Sequence, residues 1–246
     1  MRDKAIEVID YKGYQINIHN DSDPMDPVRE FDQLGTMVCF HRRYNLGHKH
    51  NYNNSTDFLM ELAKEGDSTV EGKIEYWENG NGWNTLRKMG HEKASKFAED
   101  NISAIIKKSL EANYIILPLY LYDHSGITIS TGPFSCPWDS GQIGYIYITK
   151  EKARKEYNWK YMTKSRIKKI IGYLEGQVET YDQYLTGDVY GYRISNEDDD
   201  HIDSCWGFFG HDHKESGLLE YAENAIDCEL RQEFEAINMV NNCFAL

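Results

Sequence analysis

Residues 114–130, YIILPLYLYDHSGITIS, decide the fold class of this chain. Two runs rich in β-branched and aromatic residues flank the short sequence DHSG, whose residue types are common in turns. Strand-like runs joined in this way predict a β-hairpin. Pro118 lies inside the first run and has no backbone N–H to donate, so we expect a sheet edge or a bulge near it.

Further strand-like segments lie on both sides of this hairpin, and most show the alternation of a half-buried strand or a short apolar run. The predicted strands are residues 14–18, 36–40, 73–77, 144–149, and 189–194 paired with 203–209 around the acidic loop SNEDDDHI. Because tight turns join neighbouring strands, we expect largely antiparallel pairing.

Apolar residues recurring every three or four positions predict the helices. Two shorter helices are predicted at residues 55–65 and 92–110, and Phe97 is expected to face inward from the second. A long helix is predicted over residues 165–186, and a C-terminal helix over 216–239 with an apolar stripe that continues to Ile237. The pattern indicates an α+β fold, in which a largely antiparallel sheet is packed by several helices in a single domain, residues 1–246.

Composition limits the function classes. The net charge of −13 argues against binding nucleic acid or an anionic membrane over the whole surface. The chain has neither the apolar core of a signal peptide nor an apolar run of about 18 residues that would span a membrane. The five cysteines are widely spaced, which is typical of reduced thiols in a cytoplasmic protein. They are Cys39, Cys136, Cys205, Cys228 and Cys243.

Carboxylates cluster in the loop that follows the first predicted strand, and oxygen ligands on a turn are what a hard divalent cation requires. These candidate metal ligands are Asp21, Asp23, Asp26, Glu30 and Asp32. Their spacing is not that of an EF-hand, and the alternative is that they form Asx-type turns and pair with arginines. Histidines and cysteines that could bind zinc also lack a recognised spacing. They are Cys39, His41, His48, His50, His211 and His213. We therefore expect no metal or other cofactor.

A candidate for nucleophilic catalysis is Cys136, in the loop FSCPWDSG, with Asp123 and His124 in the preceding turn. Cysteine catalysis needs a thiolate stabilised by a nearby imidazole. Cys136 is followed by a proline in an irregular loop, and the alternative is an inert, buried cysteine.

Two charged surfaces are candidates for binding. Residues 150–169 contain nine Lys or Arg and two Glu, and aromatic residues lie among them, so Lys164, Lys168 and Lys169 could bind single-stranded nucleic acid. The alternative is a solvated helix start. A dense acidic loop could instead bind a basic groove on a protein partner, or serve only solubility. Its candidate residues are Asp198, Asp199, Asp200 and Asp203.

Long stretches of the chain resemble a family of uncharacterised proteins from tailed bacteriophages and other bacterial mobile elements. They are LGTMVCFHRRYNLG (34–47), LPLYLYDHSGITISTGPFSCPWDSGQIGYIYITKE (117–151), and YDQYLTGDVYGYRI with DSCWGFFG (181–194 and 203–210). The resemblance implies a phage-type accessory protein in the cytoplasm of a bacterial host, and it carries over no catalytic residues.

Three hypotheses follow. The first is a phage or mobile-element accessory protein that binds a host or phage protein without catalysis and counters a host system targeting nucleic acid. The alternative is a metal-dependent or cysteine-dependent enzyme. The third is a protein that binds single-stranded nucleic acid through residues 150–169.

Overall fold

A computed structural model describes residues 4–244, apart from the side chains of residues 89 and 240–244, and shows an α+β fold. The strands are β1 (Glu7–Tyr11), β2 (Tyr14–Asn20), β3 (Thr36–Cys39), β4 (Tyr114–Asp123), β5 (Ile127–Ser130), β6 (Ser140–Thr149), β7 (Val189–Ser195) and β8 (His201–Phe209). The helices are α1 (Pro27–Glu30), α2 (Ser55–Gly66), α3 (Val70–Glu78), α4 (Asn81–Leu86), α5 (His91–Asn113), α6 (Lys150–Glu156), α7 (Lys164–Thr186) and α8 (Leu218–Phe244). Both long helices that the sequence predicts are confirmed as α7 and α8.

The strands form two antiparallel sheets where one was predicted. Their orders are β1-β2-β7-β8 and β3-β6-β4-β5. The second sheet contains the hairpin of residues 114–130, and the first joins β2 to β7, with Ile18 opposite Tyr192. In chain order, all four strands of the second sheet therefore lie between β2 and its partner β7.

The chain divides into two compact units, each built around one of the two sheets. Unit 1 comprises residues 1–30, 126–128 and 180–246, and unit 2 comprises residues 31–125 and 129–179. Compactness alone does not decide whether the two units fold together, so the single domain stays a prediction. Among the described residues, no helix is both long enough and apolar enough to cross a bilayer.

The core of unit 1 lies between its sheet and the first half of α8. Ile16 and Ile18 alternate with outward residues on β2 and are fully buried, as is Ile226 on α8. The predicted apolar stripe of α8 is not buried along its whole length, since Phe234 and Ile237 are 67% and 59% exposed. The amphipathic pattern thus continues past the part of the helix that packs on the sheet.

The core of unit 2 forms where α2 and α5 pack on the second sheet. Phe58 and Leu62 of α2 pack with Val38 and Tyr114 from the strands. Close packing requires glycine at position 144 of β6, since a Cβ there would overlap the backbone carbonyl oxygen of Val38. Only a residue without a side chain allows β3 and β6 to approach this closely.

Two local predictions for unit 2 are wrong, and a third, for Pro118, is confirmed in one of its two alternatives. Residues 73–77 lie in α3, not in a strand, because Val70 and Ile74 are buried one helical turn apart. Phe97 is 47% exposed, and α5 buries smaller side chains instead. Pro118 is not on an edge, since β4 lies between β6 and β5; the predicted bulge is present as a register shift between Leu119 and Tyr120.

Candidate nucleic-acid interface

One segment of unit 2 combines exposed or half-buried cations with aromatic rings, and we call it the basic–aromatic patch. It consists of Arg154, Tyr157, Trp159, Lys160, Tyr161, Lys164, Arg166, Lys168, Lys169 and Tyr173. It spans the end of α6, the connecting loop and the first turns of α7.

Local hydrogen bonds explain why the chain folds this way between the two helices. Thr149 Oγ1 accepts from the backbone N–H of Lys152 at 2.9 Å and begins α6. Asn158 has φ +51°, a left-handed conformation that asparagine tolerates, and there the chain turns away from α6. Thr163 Oγ1 then accepts from the backbone N–H of Arg166 at 3.3 Å, which places the first basic turn of α7.

Three aromatic rings form a stack at the centre of the patch. The Tyr157 centroid lies 4.7 Å from that of Trp159 and 5.6 Å from that of Tyr173, with interplanar angles of 22° and 14°. Burial, and then a hydrogen bond with Tyr173, raise the pKa of Tyr157 above its ordinary value. The hydroxyl of Tyr157 therefore keeps its proton at physiological pH, and the Tyr173 ring is 43% exposed.

Cations lie on this ring stack. Lys169 Nζ is 5.3 Å from the Tyr157 centroid and 5.6 Å from that of Tyr173, and Arg166 Cζ is 5.1 Å from that of Trp159. Such cation–π contacts hold a charged head group in place without neutralising it. The rings therefore hold the charged groups of Lys169 and Arg166 in defined positions.

Among the described residues the cations of the patch have no ion-pair partner, although Arg154 interacts electrostatically with Glu151. Within the described part of the chain, its six cations make no ion pair within 4.0 Å, whereas Lys155 of α6 pairs with Glu151 at 2.8 Å. These six cations are Arg154, Lys160, Lys164, Arg166, Lys168 and Lys169. Such cations can contact phosphates and the adjacent rings can stack on bases, which is the chemistry of single-strand binding.

The predicted nucleophile and its partners also lie in unit 2, but around a different carboxylate. His124 Nδ1 is 3.3 Å from Asp139 Oδ2, and Cys136 Sγ is 3.7 Å from the same oxygen. Asp123 instead forms an ion pair with Arg43. Among the described side chains, no hydrogen bond joins Cys136 to His124, although a cysteine nucleophile needs an adjacent base. Asp139, which the sequence did not single out, is the shared partner.

The candidate metal ligands stabilise turns in the first loop. Asp21 Oδ1 accepts from the backbone N–H of Asp23 at 3.0 Å, and Asp26 Oδ1 accepts from that of Val28 at 2.9 Å. Asp26 also pairs with Arg29 at 3.1 Å. The side chains of the remaining candidates are exposed, namely those of Asp23, Glu30 and Asp32. In the part of the chain that the structure describes, no group of three or more His, Cys, Asp or Glu side chains is placed to hold a metal ion.

The histidines of this prediction have protein partners. Their contacts are His48 Nδ1 with the N–H of Met37 at 3.0 Å, His41 Nδ1 with the N–H of Tyr44 at 3.2 Å, His50 Nε2 with the carbonyl of Cys39 at 2.9 Å, His211 with Asp188 at 3.5 Å and His213 with Glu7 at 3.6 Å. Burial raises the pKa of the Cys39 thiol to about 12. Around β3, the side chains of His41, His48 and His50 therefore form hydrogen bonds with the backbone.

The acidic loop of unit 1 is an ordered turn built on one asparagine. Asn196 Oδ1 accepts from the backbone N–H groups of Asp198 and Asp200 at 3.0 and 2.9 Å, and its amide donates to the Asp200 carboxylate at 3.3 Å. Asp203 accepts from the Tyr192 hydroxyl at 3.1 Å, and burial together with this bond raises the pKa of Tyr192.

Two of the four predicted partner-binding residues therefore use their carboxylates within unit 1, namely Asp200 and Asp203. Asp198 is exposed, and so is Asp199, which adopts φ +63°. Glu197, between Asn196 and Asp198, is exposed as well. The loop thus presents carboxylates from a defined backbone and not from a disordered segment.

Sequence reasoning missed two aromatic residues. Tyr173 follows Lys169 by four positions within the helix predicted over residues 165–186, and this helical spacing predicts their contact. Trp138, in the loop before β6, is 92% exposed, and Arg42, Arg43 and Asp139 line the same cleft of about 570 Å³. No periodic signal points to it, because it lies in an irregular loop.

Comparisons with family models, curated proteins and solved structures found no match to this chain. The resemblance to phage and mobile-element proteins stays a prediction.

Proposed function

We propose that this protein binds single-stranded nucleic acid through the basic–aromatic patch of unit 2. The observation that carries the proposal is the ring stack with Lys169 and Arg166 over its rings, in a segment whose six cations have no ion pair among the described residues. Cations supply most of the affinity for phosphates, and their release of counterions makes that affinity depend on salt.

The rings favour a single strand over a duplex. Bases in a duplex are stacked on one another, whereas a single strand offers their faces to aromatic side chains. Tyr161 is 63% exposed at the margin of the patch, and Lys160 lies 5.4 Å from its centroid. A base that stacks there would keep its phosphate close to a cation.

The first experiment compares two charge reversals of equal size in unit 2. One variant carries Lys164→Glu, Lys168→Glu and Lys169→Glu in the patch, and its control reverses three exposed lysines of α5. The control substitutions are Lys93→Glu, Lys96→Glu and Lys108→Glu. Fluorescence anisotropy with labelled single strands of about 20 nucleotides measures affinity across a salt series.

We expect the patch variant to bind at least about tenfold more weakly than the control variant. The slope of log K against log salt should fall by roughly 2, since each phosphate contact on a single strand contributes about 0.7. Equal losses in both variants would show a diffuse charge effect. Absence of binding by the unmodified protein at low salt would refute the proposal outright.

A second candidate function is binding of a protein partner through the acidic loop of unit 1. It is favoured by the way in which Asn196 orders the loop, so that Glu197 and Asp198 are exposed from a fixed backbone. Charged groups at the rim of an interface mainly accelerate association. In this reading the protein is a phage or mobile-element accessory protein in a bacterial cytoplasm that counters a host defence.

A further inference from the structure

Unit 2 contains a second concave site, an apolar pocket of about 660 Å³ between α2, α5 and the strands β4 and β6. Its apolar walls come from Leu59, Ile106, Leu110, Ile115, Ile116 and Ile167. None of the residues of the basic–aromatic patch lines it. The volume lies within the range of small-molecule pockets, which are lined mainly by apolar side chains with few polar groups.

The charged groups of the pocket are two lysines and one glutamate. Lys107 Nζ lies 3.8 Å from Glu111 Oε1, and its side chain is 77% exposed. Lys150 Nζ donates to the backbone carbonyl of Glu111, so its charge is not paired with a carboxylate there. Two cations against one carboxylate leave the rim with a positive charge of one unit.

A neutral polar group adds to this arrangement. Tyr145 lines the pocket, and its ring packs against Phe58 at a centroid distance of 5.8 Å. In the described residues its hydroxyl has no protein hydrogen-bond partner. The hydroxyl is therefore available to a ligand.

We propose that this pocket binds a small amphipathic anion, with an aliphatic or aromatic body and one carboxylate or sulfonate head group. The walls take the apolar body, and burial of its surface supplies most of the affinity. Lys107 and Lys150 take the head group, whose single negative charge matches the net charge of the rim. This activity is separate from nucleic-acid binding, because it uses other side chains.

The probe is 8-anilino-1-naphthalenesulfonate, which has an aromatic body and one sulfonate and becomes fluorescent in an apolar site. We expect saturable binding with one probe per chain, and displacement by decanoate. Decyltrimethylammonium has a chain of the same length and the opposite charge, so it should displace the probe poorly. A fluorescence increase that does not saturate, or equal displacement by the cation, would overturn the proposal.

Two pairs of matched variants locate the site. Ser103 is exposed on α5 and lines the pocket, so Ser103→Trp should block it, whereas Ala104→Trp at the next exposed position should not. Lys107→Glu should weaken probe binding by roughly fivefold, as the loss of an exposed ion pair does, and Lys108→Glu should leave it unchanged. The lysine pair changes exposed side chains only, so it decides the matter even if a tryptophan variant fails to fold. Equal affinities in the two lysine variants would refute the assignment.

Discussion

Unit 1 contains 7 Lys or Arg and 22 Asp or Glu, whereas unit 2 contains 20 and 18, so their net charges are −15 and +2. The charge of the whole chain, −13, is therefore almost entirely a property of unit 1. A net charge describes solubility and long-range attraction for a surface as a whole. Here the net charge of the whole chain conceals the cations of unit 2, which only a count for each unit reveals.

If each unit is a folded body, the largest effect should come from a substitution that destabilises the fold of one of them. Gly144→Ala places a Cβ against the backbone of β3, so we expect a loss of at least about 2 kcal/mol in the free energy of unfolding. Gly141→Ala on the same strand is the control, because a Cβ there meets no atom within 4 Å. Urea unfolding followed by circular dichroism measures both.

The same variant tests the single-domain prediction. If residues 1–246 fold as one domain, calorimetry should show one transition, and Gly144→Ala should lower its temperature as a whole. Two transitions, of which only one moves, would mean that the units unfold separately.

The next effect concerns the rings that distinguish the patch of unit 2 from a simple cluster of lysines. Trp159→Ala removes one end of the ring stack and one face on which a cation lies. We expect affinity for a single strand to fall about tenfold, since stacking contributes about 1–3 kcal/mol per base. The salt slope should not change, because no cation is removed.

Trp138→Ala is the matched control for this substitution. It removes an exposed tryptophan of unit 2 that lies outside the patch. An equal loss of affinity in Trp138→Ala would extend the interface to the cleft beside Arg42 and Arg43.

The smallest effect should come from the acidic unit. Glu197→Lys with Asp198→Lys reverses two exposed charges, and at physiological salt we expect less than about a threefold change in nucleic-acid affinity. At low salt the reversal should strengthen binding slightly, because a repulsive charge is lost. A large loss of affinity would contradict the assignment of binding to unit 2, and a lost protein partner would support the second candidate function.

Local patterns in the sequence predicted elements that form through interactions between nearby residues, such as helices and tight turns. The spacing of Ile170, Leu174 and Val178 predicted the buried face of α7, and all three are buried. The hairpin of residues 114–130 followed from its turn residues. In residues 150–169, the mixture of lysine and aromatic residues pointed to the segment in which the structure shows the ring stack.

Such patterns could not predict which strands pair when they lie far apart in the sequence. The separation of the strands into two sheets depends on β2 meeting β7, which no periodicity encodes. Residues 73–77 alternate over too few positions to distinguish a strand from a helix, and the burial of Ile74 against α5 decides the outcome. The sequence does not point to Asp139, because only the folded loop brings its carboxylate to His124 and Cys136.

The pairing of β2 with β7 has a consequence during synthesis on the ribosome. Ile18 leaves the ribosome 174 residues ahead of its partner Tyr192. At about 5–20 residues per second, the hairpin of β1 and β2 waits on the order of 10–30 seconds for its neighbouring strand. During that time β2 has an unpaired edge and exposes Ile16 and Ile18, which are buried in the finished protein. During this interval we expect aggregation or chaperone binding at the hairpin of β1 and β2, while the residues of unit 2 leave the ribosome.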